Sequence, residues 1–315
     1  MSLIHQILQL LGDGQRYSGV ALAERLGVSR AAVSKAVSLC PDVPIEVSRQ
    51  GYSLPAPFRP LNEGRIRALL EEMGCRLDKF AIHEDVGSTN QILLAAAGEG
   101  VFACLAERQS AGRGRRGKVW RATPYGSLLL SVAWTLSGAA RPLGVLSLAA
   151  GVAVLRALEH LGVRDAGLKW PNDVLWQARK LAGILIEMRG EADAMRVVVG
   201  VGLNAAMSAE TAAAIDQDWV DLRSIIPLVD RDQVAALLIA ELNIVMTDYR
   251  EGREAALLDE WRKRHVFTGM RVRIHEGRGA CDARVIDIDA DGALLVETSD
   301  GCRRVQSGEV SMRPL

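Results

Sequence analysis

Residues 107–121 read Glu107-Arg108-Gln109-Ser110-Ala111-Gly112-Arg113-Gly114-Arg115-Arg116-Gly117-Lys118-Val119-Trp120-Arg121. Six basic side chains follow Glu107 with no acid among them, and Gly112, Gly114 and Gly117 free the backbone to wrap closely round an anion. The letters match G-x-G-x-x-G, the glycine loop of dinucleotide-binding folds. Such a loop follows a strand and opens a helix, with an acidic residue roughly 20 positions further on. Here a strand-like run at 127–133 comes next, and the variable positions are arginine. The doubly wound reading fails, and anion binding falls to guanidinium groups and loop amides.

Outward from this loop, residues 61–266 mix helical patterns at 144–161 and 233–250 with Leu/Ile/Val-rich strand runs at 127–133, 182–188 and 196–201. The elements do not alternate strictly, which predicts an α+β domain with a mixed sheet. After Trp261-Arg262-Lys263-Arg264-His265 the period changes to two. Runs at 271–274, 284–288 and 293–297, joined through Asp291-Gly292 and Asp300-Gly301, predict a small β-barrel over 267–315 that leans on its neighbour. Prolines 55, 57 and 60 deny a continuing helix and mark a linker that closes a first domain at residues 1–60.

Bulk properties narrow the function classes. The chain of 315 residues suggests two or three domains, and a 49% hydrophobic share suffices for buried cores. With 38 basic and 38 acidic residues, any nucleic-acid role must rest on local charge. Five scattered cysteines without a C-x-x-C pair fit reduced thiols in the cytoplasm, and the scattered histidines give no zinc-type cluster. Residues 1–11 lack a basic n-region and read as a first helix rather than a signal peptide. The apolar run at 142–155 is too short to cross a bilayer and reads as a buried helix.

Residues 18–37 fit a helix-turn-helix. Ala23 is small where two helices cross, Gly27 can take the positive φ of the turn, and Ser29 is a natural N-cap. Leu22, Leu26, Val28, Val33 and Val37 point inward. Arg30, Ala31, Ser34, Lys35 and Ser38 are left on the outer face, suited to a major groove. Ile45-Glu46-Val47 and Tyr52-Ser53-Leu54 would form a wing with Arg49 at its tip, placed to meet phosphate. Six basic residues against four acidic ones in residues 1–60 give a mild excess of +2, which suggests binding as a dimer. A three-helix protein-interaction domain would use the same core.

Three further stretches carry chemistry. Lys169-Trp170-Pro171-Asn172-Asp173 offers a cation, an aromatic wall, a rigid turn and two short polar groups. In Arg179-Lys180-Leu181-Ala182-Gly183-Ile184-Leu185-Ile186-Glu187, Lys180 stands at the start of an apolar strand, placed to neutralise charge developing on a carboxylate or phosphate. A lone lysine there is usually solvated. Gly87-Ser88-Thr89-Asn90-Gln91 supplies hydroxyls where a loop enters a helix, by itself more often an N-cap than a ligand contact.

Together with Gly200-Val201-Gly202-Leu203-Asn204, these segments resemble the bifunctional biotin–protein ligase and biotin-operon repressor family, over nearly the whole chain. The resemblance implies a winged helix-turn-helix domain, a class II synthetase-like biotin–lipoyl ligase domain and a C-terminal SH3-like barrel. It implies formation of biotinyl-5′-AMP from biotin and ATP, with Mg2+ accompanying ATP, and transfer to a lysine of biotin carboxyl carrier protein of acetyl-CoA carboxylase. The adenylate would act as corepressor, with homodimers binding biotin operator DNA. Ser88, Thr89, Asn90, Gln109, Gly112, Arg113, Gly114, Arg115, Arg116, Lys180 and Gly183 would line the biotin site, where each unpaired polar group costs ~1–3 kcal/mol. Backbone amides near Arg115 and Arg116 would hold the carboxylate, and Gly183 would leave room for the ligand. Arg115, Lys118, Trp120, Asn172, Asp173, Lys180, Asn204, Trp219 and Arg313 would border the adenylate. Lys180 and Arg115 would serve catalysis, and Asp173 would help deprotonate the acceptor lysine. Two departures stand out. Lys118 replaces the arginine of the best-known repressors, turning a bidentate contact into a point charge, and residues 39–47 look shortened. The glycines among repelling arginines predict a loop that orders over the adenylate. Two other readings are a lipoate or octanoate ligase and a metabolite-sensing repressor without catalysis.

Overall fold

A computed structural model describes residues 2–55, 58–136, 143–191, 194–276, 279–307 and 310–314. Ala56 and Pro57 of the predicted linker, Arg141 and Pro142 at the start of the apolar run, and Gly308 and Glu309 lie outside the described residues.

Three short helices open the chain: α1 (Leu3–Leu11), α2 (Gly19–Leu26) and α3 (Arg30–Ser38). Serines start each one. The hydroxyls of Ser2, Ser18 and Ser29 accept from the backbone N–H groups of His5, Ala21 and Ala32, satisfying donors that the first turn leaves free. Gly27 ends α2 in the left-handed region (φ 65°), as the predicted turn requires. Ile7, Leu8, Leu11, Leu22 and Val33 form the core beneath them. The hairpin β1 (Glu46–Ser48) and β2 (Gly51–Ser53) follows, pairing Val47 with Tyr52.

Helix α4 (Glu63–Glu72) leads into β3 (Lys79–Val86), α5 (Thr89–Ala95), β4 (Phe102–Gln109), β5 (Leu128–Leu136) and α6 (Leu143–His160). Then come β6 (Ala166–Lys169), β7 (Asp173–Trp176), β8 (Arg179–Glu191), β9 (Ala194–Leu203), α7 (Ala209–Ala213), α8 (Arg231–Arg250) and α9 (Glu254–Arg264). The seven strands form one mixed sheet in the order β3-β4-β5-β9-β8-β7-β6, with β3 and β4 parallel and the other pairs antiparallel. The period of two sorts β5 between two layers. Leu128, Leu130, Val132 and Trp134 join the large core shared with α6 and α8, whereas Ala133 packs with Leu93 of α5, Phe102, Cys104 and Val198 on the opposite face. The second face packs against α5 and holds the candidate site.

The C-terminal segment folds as β10 (Arg271–Glu276), β11 (Gly279–Ile288), β12 (Leu294–Thr298), β13 (Gly301–Val305) and β14 (Val310–Pro314). They form an antiparallel sheet in the order β13-β12-β11-β10-β14. Among the described residues β13 and β14 share no ladder, so the sheet is open where a closed barrel is expected; β14 pairs with β10 instead, from Val272–Pro314 to Glu276–Val310. The sheet does lean on its neighbour: Val272, Ile274, Val285, Leu294 and Val296 belong to the same core as α6 and α8. The buried Trp170 Nε1 also donates to Gly292 O at 3.1 Å.

Candidate active site

Three glycines clear the floor. Gly183 on β8 pairs directly with Gly202 on β9, and Gly200 pairs with Leu185, so these positions face one side of the sheet, towards α5. Other side chains lie flat on the bare backbone. A Cβ at Gly200 would fall 2.4 Å from Asn90 Oδ1; at Gly202 it would fall 2.4 Å from Trp120 Cε2, and at Gly183 2.9 Å from Trp120 Cζ3.

The rear wall comes from the start of α5, the end of β4 and the middle of β5. Gln109 Oε1 accepts from Thr89 N at 2.7 Å and lies 3.0 Å from Thr89 Oγ1. The fully buried Ser131 hydroxyl lies 2.7 Å from Thr89 Oγ1 and 2.5 Å from Asn90 Oδ1. Asn90 Nδ2 donates to Glu187 Oε2 at 2.9 Å and to Leu185 O at 3.3 Å. The Asn90 amide is therefore engaged on every side and pins α5 to the sheet. Ser88 differs: it holds the N-cap position, is buried, and its hydroxyl makes no capping bond.

The Arg/Gly stretch forms a tight hairpin beside this wall. Arg113 bridges Val119, Gly114 N donates to Lys118 O at 2.7 Å, and Trp120 N donates to Gly112 O at 3.0 Å. Gly112 is where the two arms approach closest, since a Cβ there would sit 2.9 Å from Trp120 O. Arg116 at the tip takes φ 58° and is exposed, as are Gly117 and Lys118. Arg113 turns back to pair with Glu187 at 3.0 Å. Arg115 turns inward, donating to Asn172 Oδ1 at 3.2 Å, and burial draws its pKa below the usual arginine range against the opposing pull of Asp173.

The cationic end lies where β7 and β8 meet. Lys180 Nζ is 2.7 Å from Asp173 Oδ1, both side chains being largely buried, and Asp173 pairs with Gly183 across the ladder. The Lys180 backbone is clamped as well: its N–H donates to Asp218 O at 2.9 Å and its carbonyl accepts from Val220 N at 3.0 Å and from Asn204 Nδ2 at 3.2 Å. Asn172 Nδ2 donates to Ile184 O at 2.7 Å. Trp219, half-buried, lines an adjoining cleft of about 490 Å³ together with Arg179, Asp216, Asp218 and Ser224.

The structure thus brings together Ser88, Thr89, Asn90, Gln109, Gly112, Arg113, Arg115, Trp120, Asn172, Asp173, Lys180, Gly183 and Asn204. The side chain of Lys118 stays in solvent, and Arg313 lies on β14 with its side chain outside what is described. Above Gly183 lie the Trp120 ring and Lys180, whose Cε would meet a Gly183 Cβ at 3.2 Å. Sequence reasoning missed Ser131 and Glu187. Each is a polar residue within or at the end of an apolar strand run, and that break in pattern was the available signal.

Comparison with known proteins gives this site a context. A family described as Biotin/lipoate A/B protein ligase matches residues 86–204, and the Biotin protein ligase C terminal domain matches residues 267–313. The chain belongs to the biotin protein ligase family. Within it, the chain is 37% identical to the bifunctional ligase/repressor BirA of Escherichia coli, across 98% of this chain and 96% of that protein. It is 36% identical to the biotin–acetyl-CoA-carboxylase ligase of Mycobacterium tuberculosis, across 80% of this chain and 95% of that protein. Among solved structures, the Aquifex aeolicus biotin protein ligase in complex with biotin and ATP superposes with a TM-score of 0.65 at 26% identity, covering 76% of this chain and all of that one.

Proposed function

We propose that this protein is an ATP-dependent biotin–protein ligase that also acts as a DNA-binding repressor of biotin synthesis genes. The carrying observation is the Lys180–Asp173 pair at the end of a glycine-floored cleft, with Arg115 beside it. Biotin would lie with its ureido ring towards Ser88, Thr89, Gln109 and Arg113, where the Ser88 hydroxyl offers a polar partner in a buried wall. A carboxylate oxygen of biotin attacks the α-phosphorus of ATP, the bond to pyrophosphate breaks, and biotinyl-5′-AMP forms. Lys180 and Arg115 neutralise the negative charge gathered between carboxylate and phosphate, which is where preorganised cations count most. Asn172, Asn204, Trp120 and Trp219 border the nucleotide, and Arg313 would reach it from β14. Mg2+ is expected with ATP because it offsets triphosphate charge. The lysine amine of biotin carboxyl carrier protein then attacks the acyl carbon and AMP leaves. The amine proton passes towards Asp173 or solvent.

The chain reads as a winged helix-turn-helix domain at 1–60, a catalytic domain at 61–266 and a barrel-like C-terminal domain at 267–315. Support for the first is the exposure of Arg30, Ala31, Ser34, Lys35 and Ser38 along α3, capped by Ser29, and of Arg49 at the turn of the hairpin. Homodimers carrying biotinyl-AMP would bring two such modules to operator DNA. A cytoplasmic setting suits the five free cysteines, and no described helix is long and apolar enough to cross a membrane.

Transfer of radiolabelled biotin to a purified acceptor domain tests the enzyme, and gel shift of the organism's own biotin-gene promoter with and without biotin plus ATP tests the repressor. Labelled acceptor together with a ligand-dependent shift is expected. Binding of biotin without turnover would replace this reading with that of a sensor.

A further inference from the structure

Ser131 stands in the middle of β5, between Leu130 and Val132, with Gly200 directly beside it across the β5–β9 ladder. The bare Gly200 leaves the space that the Asn90 amide fills. The fully buried Ser131 hydroxyl meets that amide on one side and Thr89 on the other. A hydroxyl owns a single proton, so the sharing of protons along this wall is fixed group by group.

The order starts at Asn90. Its amide nitrogen faces Glu187 Oε2 at 2.9 Å and Leu185 O at 3.3 Å, both acceptors, and Glu187 is itself paired with Arg113 at 3.0 Å. The other end of the amide is therefore the carbonyl oxygen, which can only accept, and it lies 2.5 Å from Ser131 Oγ. Two oxygens that close need a proton between them, so Ser131 donates its only proton to Asn90. The 2.7 Å contact between Ser131 and Thr89 is then bridged by the Thr89 proton, with Ser131 accepting. Gln109 Oε1, 3.0 Å from Thr89 Oγ1, is left with the Thr89 backbone N–H at 2.7 Å. The Thr89 hydroxyl has its proton turned into the wall and only lone pairs to offer elsewhere.

We propose that Ser131 is a positioning residue for substrate choice: through Asn90 and Glu187 it holds Thr89 as an obligate acceptor, so the wall selects a cyclic urea, which brings a ring N–H, over acyl chains that carry no such donor. The proposal rests on the ligase reading and deepens it at the same site. Buried polar groups discriminate strongly because the wrong ligand leaves them unpaired.

The test is titration calorimetry of the full-length protein with biotin and with its two cyclic carbamate analogues, each having one ring N–H replaced by oxygen. In the wild type, the analogue whose oxygen is turned to Thr89 is expected to bind about 100-fold more weakly than biotin. Ser131→Ala releases the Thr89 proton to meet that oxygen, so the ratio should fall about tenfold. A merely structural Ser131 would weaken both ligands alike, and an unchanged ratio would overturn the proposal while leaving the ligase reading intact. Equal binding of all three compounds by the wild type would do the same. Should Ser131→Ala not fold, Thr89→Val serves in its place: it removes the lone pairs, the ratio should approach one, and a ratio held at the wild-type value would again overturn the proposal. A wild type that neither binds biotin nor labels an acceptor would overturn both readings.

Discussion

Glu107 and Arg231 meet at 2.7 Å with their side chains 0% and 2% exposed. The pair is a junction as much as a bond. Arg231 also donates to Ser127 O at 2.9 Å and Arg59 O at 2.8 Å, and Glu107 accepts from Leu61 N at 2.5 Å. Strands β4 and β5, the head of α8 and the chain at Arg59–Leu61 are tied at one buried point. Removing one partner leaves an uncompensated charge with several orphaned groups. Arg231→Met is expected to lower unfolding free energy by about 3–5 kcal/mol, and adding Glu107→Leu should recover part of the loss. Urea denaturation of the single and double variants measures this; equal losses would argue against charge burial as the cause.

Lys180→Ala should leave biotin binding near wild type but slow adenylate formation by about 10²–10³-fold, the usual scale for losing one preorganised stabilising group. Single-turnover pyrophosphate release checks it. Undiminished turnover would remove Lys180 from the chemistry, and an equal loss in binding would make it a ground-state contact.

His265 offers a prediction about pH. The ring is stacked on Trp261 at 4.4 Å between centroids and accepts or donates at Thr268 Oγ1, 2.9 Å away, while Nε2 is buried with no hydrogen bond among the described residues. Burial lowers its pKa from 6.5 to about 4, against a weaker opposing effect from Asp287. Between those values the unfolded chain binds the proton and the folded chain does not, so stability rises with pH. The contribution is complete above about pH 6.5 and is lost as pH falls towards 4, on the order of 3 kcal/mol in all. Melting curves at pH 7 and pH 5 should differ less in His265→Phe than in wild type.

If α3 lies in a groove, Arg30→Ala and Lys35→Ala should each weaken promoter binding. Each should also reduce the slope of log affinity against log salt by about one for every phosphate no longer neutralised. Biotin transfer should be unaffected. Gel shifts over a salt series decide the matter, and an unchanged slope would place both side chains away from the phosphates.

The site is legible in the sequence because its residues are locally unusual. A glycine–arginine weave, a proline flanked by Trp170 and Asn172, and a lysine opening an apolar strand stand out without any partner. The cap Ser29 and the turn at Gly27 are equally local, and each appears where expected. What stays hidden depends on pairing between distant segments. Arg231 reads as an ordinary charge at a helix start, and its burial follows only once Glu107 and Arg59 are beside it. Ser131 and Glu187 act through Thr89, Asn90 and Arg113, which lie 40 or more positions away. That Trp120 rests on two glycines needs the β8–β9 register, and the open C-terminal sheet among the described residues needs the choice β14 makes between neighbours.

The N-terminal helices also meet the catalytic layer through Tyr125, five residues after Trp120. Its ring is buried in their apolar core with Phe58 and Ala206, and its hydroxyl lies 3.3 Å from His5 Nδ1. Ala206 follows Asn204 and is bound to Gly126 O at 2.8 Å. Tyr125 and Ala206, each a few residues beyond a residue of the candidate site, therefore sit inside the core of the helices that include α3. A displacement of either chain segment would press directly on the seat of those helices.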